Sequence, residues 1–124
     1  MEAWDTVEVQ TERGKLAYVA KWAFIGVEVP EVDGRVLYIF SDYGVARVPW
    51  CGAWVALYGF GEVFVGETLE ALAWEVLQDE MERKEVPALK KAFEMLRSGS
   101  PDVKVYALTW EQAKNWKGAT ARMV

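Results

Sequence analysis

The sequence predicts an α+β protein: an antiparallel β-meander of 4–6 strands followed by two helices, a further strand and a short C-terminal helix. Three observations predict this class. Apolar and polar residues alternate through much of the first 50 residues, and an Asp-Gly pair lies between two apolar runs. Apolar residues recur every three or four positions over 69–81. Strands that precede helices in this order favour a sheet with helices covering one face.

Alternation predicts the first strands directly. Residues 6–11 alternate apolar with polar side chains. In residues 16–25 one face would carry Leu16, Tyr18, Ala20, Trp22 and Phe24, and the other would carry Ala17, Val19 and Lys21. Gly14, between the two segments, can take the positive φ of a tight turn. Ser41–Gly44 has the composition of another turn, and a strand over 45–49 would follow it. Successive short connections of this kind predict antiparallel neighbours.

Asp33-Gly34 is the strongest local signal in the chain. Placed as the two central residues of a type I′ turn, it would set Val29 opposite Tyr38 and Val27 opposite Phe40. Val27, Val29, Val36, Tyr38 and Phe40 would then share one face of this hairpin.

The second half of the chain has helical periodicity. Thr68 is the predicted N-cap of a helix over 69–81. Pro87 ends that pattern, since the residue before a proline is pushed out of the α region, and opens a second helix over about 87–98. The apolar stripe of the first helix is Leu69, Leu72, Ala73, Val76, Leu77 and Met81.

A last strand and a short helix complete the predicted order. Residues 103–108 read as a strand, and Thr109 with Gln112 three positions later fits a capping box that opens a helix ending at Gly118. The length of 124 residues and the lack of a linker or repeat predict one domain over 1–124.

Composition excludes several kinds of chemistry. The chain has no His and one Cys, Cys51, so imidazole metal sites, thiolate clusters and an intrachain disulfide are all impossible within it. No spacing matches a nucleotide-binding loop. We therefore assign no catalytic, metal-ligating or cofactor-binding residue and expect no cofactor.

The first residues lack the basic and apolar regions of a signal peptide, which favours a cytoplasmic location.

The formal net charge of −5 argues against two classes of partner. Duplex nucleic acid and anionic membranes are both bound through Lys and Arg, so neither is expected. One Asn and three Gln beside 14 Glu form a composition typical of thermophilic proteins, although a GC-rich genome would give part of the same bias.

The most unusual segment is 36–66, whose 31 residues carry three charges and eight aromatic side chains. One interpretation is one or two strands buried on both faces, and another is an aromatic-lined ligand pocket. The third is an exposed aromatic face that a partner covers, since Trp and Tyr dominate interface hot spots. On that hypothesis the interaction surface comprises Arg47, Trp50, Trp54, Tyr58 and Phe60.

These observations together favour a non-catalytic protein that acts by protein–protein contact. A small inhibitor, immunity or regulatory protein, of the kind that phages and mobile elements encode, fits the size, the acidity and the lack of His. One alternative is a small-molecule binder or small enzyme with a site on the aromatic sheet face, lined by Tyr38, Trp54 and Arg47. Another is a structural subunit of a homo-oligomer. The expected partner is accordingly another protein or a second copy of the chain.

Overall fold

The computed structural model describes residues 4–11, 14–21, 23–47, 52–58 and 62–124, and the surroundings of side chains from residue 24 onward. The elements in chain order are β1 (Trp4–Thr11), β2 (Gly14–Lys21), β3 (Ala23–Glu31), β4 (Gly34–Arg47), β5 (Trp54–Tyr58), β6 (Glu62–Gly66), α1 (Leu69–Arg83), α2 (Pro87–Arg97), β7 (Lys104–Thr109), α3 (Trp110–Lys114) and β8 (Thr120–Met123). This order confirms the predicted α+β class.

The strands form two sheets. β1 and β2 pair with each other, and the other strands form a six-stranded sheet in the order β6-β5-β4-β3-β7, with β8 paired to β4. All pairs are antiparallel except β4 with β8. β8 was not predicted, because it has only four residues, all of them exposed, and they form a strand only by pairing with β4.

The β3–β4 hairpin forms as predicted, but its predicted register was wrong by two residues. Glu31 pairs with Gly34, so Val32 and Asp33 form the turn and Val29 lies opposite Val36. Only glycines have positive φ among the described residues, and Gly34, with φ of 134°, begins the strand instead of completing the turn. A shift of two residues preserves the faces, so the five apolar residues predicted to share one face do share it.

β4 runs straight through the turn predicted at Ser41–Gly44, so that prediction was wrong. The register with β3 shifts here, from Ile25 opposite Phe40 to Ala23 opposite Val45. Tyr43 is fully buried at this irregularity, and the strand continues past it to Arg47. As a result one edge of β4 serves two partners, β8 along residues 36–39 and β5 along residues 43–47.

The helices begin where their capping residues predict. The Thr68 side chain accepts a hydrogen bond from the Ala71 amide, and Thr109 and Gln112 make the reciprocal bonds of the capping box. α3 is shorter than predicted, because it ends at Lys114 and not at Gly118. None of the helices in the described ranges is long and apolar enough to span a bilayer.

The six-stranded sheet packs on both faces. α1 and α2 bury Leu72, Val76 and Leu89 against the face that carries the hairpin residues. The opposite face packs α3 and the loop after it onto Leu37 and Ile39. The sequence predicted that the helices cover one face of the sheet. That prediction was wrong, because α3 lies on the face opposite to α1 and α2.

Candidate interaction surface

The described members of the predicted surface lie at the β5 end of the sheet. Arg47 ends β4 and pairs with Trp54, the first residue of β5, and its guanidinium carbon is 5.8 Å from the centroid of the Trp54 ring. Trp54 and Tyr58 are half-buried and pack against the core on the α1 face. Trp50 and Phe60 lie outside the described residues, as does Cys51. Trp54 and Tyr58 thus face the core, and the exposed apolar side chains on this side of the sheet, Val63 and Val65, belong to the next strand.

β6 is the last strand of the sheet on this side. It pairs with β5, and its other edge meets no strand among the described residues. Its side chains alternate: Phe64 packs against the core, whereas Val63 and Val65 on the opposite face are 39% and 58% exposed. An exposed strand edge with aliphatic side chains is a template for pairing with another chain.

Arg83 fastens the beginning of β6 to α1. Its Nη2 donates to Oε1 of Glu62 and its Nε donates to Oδ2 of Asp79, both over 2.8 Å. Its guanidinium carbon also lies 3.8 Å from the centroid of the Tyr58 ring. The two carboxylates raise the pKa of Arg83 above its usual value. One cation thereby joins α1, β5 and β6 at a single point.

A buried tyrosine continues this cluster into the core. Tyr43 is fully buried, and its hydroxyl donates to the same Oδ2 of Asp79 over 2.5 Å. Burial, and then the bond to Asp79, raise the pKa of Tyr43. The Tyr43 ring lies 5.1 Å from that of Tyr58 and 5.9 Å from that of Phe64. Tyr58 of β5 and Phe64 of β6 thus pack on Tyr43 of β4, in addition to the contact of Arg83 on α1 with Tyr58.

Glu80 is the one buried side chain here that lacks adequate partners among the described residues. It is fully buried, and neither carboxylate oxygen accepts a hydrogen bond from any described group. The nearest cation is Lys84, whose Nζ lies 3.5 Å from Oε2 and 3.3 Å from Oδ2 of Asp42. Burial shields Glu80 from any partner or substrate, so we assign it no binding role.

The far end of β6 is fixed by a glycine. A Cβ at Gly66 would lie 2.8 Å from the Leu72 Cα and 2.9 Å from the Thr68 carbonyl oxygen. Only glycine lets the first turn of α1 pack this closely on the strand. β6 is therefore held against α1 at both ends, by Arg83 and by Gly66.

A groove of about 540 Å³ adjoins this end of β6. Trp74 is half-buried in it and stacks on Phe93 of α2 with ring centroids 5.3 Å apart. The walls carry three glutamates and one cation: the lining residues are Val65, Gly66, Glu67, Glu70, Ala71, Trp74, Glu75, Leu96 and Arg97. We call the free edge of β6, its exposed Val63 and Val65, and this groove the β6 surface.

Two other polar sites lie elsewhere on the sheet. Glu28, which is buried, accepts from Arg35 over 2.9 Å and from the Tyr106 hydroxyl over 3.4 Å, which ties β3, β4 and β7 together. Tyr38 donates to Glu31 in a pocket beside the hairpin turn. Tyr38 thus lies in the first half of β4, away from the Arg47–Trp54 contact at its end.

Sequence reasoning missed the two exposed valines of β6. Their alternation with Glu62, Phe64 and Gly66 signals a strand, but exposure depends on β6 being last in the sheet. Within the described ranges, no three acidic or Cys side chains come close enough together to hold a metal ion. No protein-family model, curated protein or solved structure shows significant similarity to this chain.

Proposed function

We propose that this protein binds another protein by accepting an extended segment of that partner as an additional strand on β6. It would then act without catalysis, as a small inhibitor, immunity or regulatory protein. Recognition by strand addition draws affinity from main-chain hydrogen bonds and specificity from alternate side chains. The observation that carries the proposal is the free edge of β6 with Val63 and Val65 exposed beside it.

The way that β6 is held supports this function. An incoming strand loses conformational freedom on binding, so a receiving strand that is already ordered lowers the cost of association. Arg83 at one end and the contact of Gly66 with α1 at the other keep β6 in position. Trp54 and Tyr58 of β5 and Phe64 of β6 pack against the core, which anchors both strands to the rest of the protein.

The test selects extended peptides and asks where they bind. A random-peptide display library is panned against the immobilised chain, and dissociation constants of the selected peptides are measured for Val65→Asp and for the matched control Val32→Asp. Val32 is an exposed valine at the β3–β4 turn, far from β6 in the strand order.

We expect Val65→Asp to weaken binding about ten-fold or more, because Asp disfavours strand structure and removes the aliphatic contact. The control should bind like the wild type. Equal binding by both variants and the wild type would refute strand addition on β6, and so would a dimer of the chain that Val65→Asp dissociates.

A further inference from the structure

We propose that the segment accepted by β6 is cationic, with Lys or Arg alternating with an aliphatic residue. This inference rests on the proposed function and specifies the partner's chemistry. Its basis is the juxtaposition of the apolar edge of β6 with the acidic groove, which Val65 and Gly66 also line.

The lining of the groove carries more negative than positive side chains. Glu67, Glu70 and Glu75 line it, and none of them makes an ion pair with a described residue. Arg97 is the single cation in the lining. The negative charge of the groove would steer a basic segment toward it and favour the binding of that segment.

The geometry of the strand sets the pattern of the segment. Side chains of an added strand alternate between the two faces of the sheet with a period of two. Side chains of the added strand beside Phe64 and Gly66 lie on the face against which α1 packs, and α1 and the residues before it carry the three glutamates of the groove. Side chains of the added strand beside Val63 and Val65 lie on the other face, where aliphatic groups would cover these exposed valines. Basic and aliphatic residues should therefore alternate.

Charge also disfavours a second copy as the occupant. Two β6 strands paired antiparallel about Phe64 would place Val63 of one copy beside Val65 of the other. Each copy has a net charge of −5. Like charges that face each other across an interface oppose association.

Three labelled hexapeptides test the proposal by fluorescence anisotropy. The first alternates Lys with Val, the second alternates Ser with Val, and the third has the composition of the first in two blocks, Lys then Val. The proteins are the wild type, Val65→Asp, and a triple variant with Glu67→Gln, Glu70→Gln and Glu75→Gln. Circular dichroism confirms that each variant is folded.

We expect the Lys–Val peptide to bind the wild type about ten-fold more tightly than either other peptide, and its affinity to fall as salt is raised. The triple variant should reduce its affinity to that of the Ser–Val peptide and leave the Ser–Val peptide unchanged. Val65→Asp should weaken the alternating peptides, even though it adds a charge that attracts the Lys–Val peptide.

The remaining outcomes separate the two proposals. Equal affinity of Lys–Val and Ser–Val peptides, both lost in Val65→Asp, would overturn the cationic partner and leave strand addition standing. Equal affinity of the alternating and block peptides would show attraction by charge alone and overturn the alternating pattern. No binding of either alternating peptide would overturn the proposed function itself.

Discussion

Replacing Glu80 by Met should make the protein more stable. The carboxylate is fully buried, and neither oxygen accepts a hydrogen bond from a described residue. Burying a charged group costs several kcal/mol unless it is paired and hydrogen-bonded. Its one ion pair with a described residue is with Lys84, whose side chain is 41% exposed and also contacts Asp42. An ion pair with such an exposed cation stabilises the folded protein by about 1 kcal/mol or less.

The balance for Glu80→Met follows from these two terms. Met has nearly the same length, is a good helix former and leaves no buried charge. Exchanges of buried ionic groups for apolar ones of similar volume are neutral or stabilising by about 1–4 kcal/mol. We expect the free energy of unfolding to rise within that range, and the melting temperature to rise by about 3–6 °C for each kcal/mol.

Urea unfolding followed by tryptophan fluorescence at pH 7 measures the change. The matched control is Glu82→Met on the exposed side of the same helix, which should stay within about 0.5 kcal/mol of the wild type. Destabilisation of Glu80→Met by more than about 1 kcal/mol would refute the reasoning, because it would mean that the carboxylate is well paired in the folded protein.

Three further predictions concern a buried tyrosine, a glycine that contacts α1, and the N-cap of α3. Burial and Asp79 raise the pKa of Tyr43, so above pH 10 the unfolded state ionises first and this group alone should lower stability by about 1.4 kcal/mol per pH unit. Tyr43→Phe should lower stability at pH 7 but give a shallower decline from pH 10 to 11.5 in urea titrations, and an equal slope would contradict this. Gly66→Ala should destabilise by about 1–3 kcal/mol in the same assay, because its Cβ meets the backbone of α1; an unchanged midpoint would show that α1 can move away. Thr109→Ala should cost about 1 kcal/mol and speed amide exchange in α3, and equal exchange rates would rule out the cap as its support.

Local signals predicted those parts of the fold that depend on neighbouring residues. The caps at Thr68 and Thr109 and the end of a helix before Pro87 follow from chemistry within one turn of chain. The face shared by the hairpin valines also follows, because alternation is a property of the strand itself.

Features set by distant contacts could not be predicted from the sequence in this way. The composition of Ser41–Gly44 favours a turn, but the core draws in Tyr43 and the strand continues. β8 forms because β4 offers it an edge. The predicted interaction surface was Arg47, Trp50, Trp54, Tyr58 and Phe60, of which Trp54 and Tyr58 are half-buried. Nothing local showed that β6 would be the outermost of the described strands on this side of the sheet.

The most direct test of strand addition is amide hydrogen exchange across 62–66, measured with and without saturating Lys–Val peptide. Main-chain bonds from an added strand must protect amides on the free edge of β6, so we expect slower exchange there and little change at the β3–β4 turn around Val32. Bound peptide with unchanged exchange across 62–66 would contradict the account, because the segment would then lie somewhere other than beside β6.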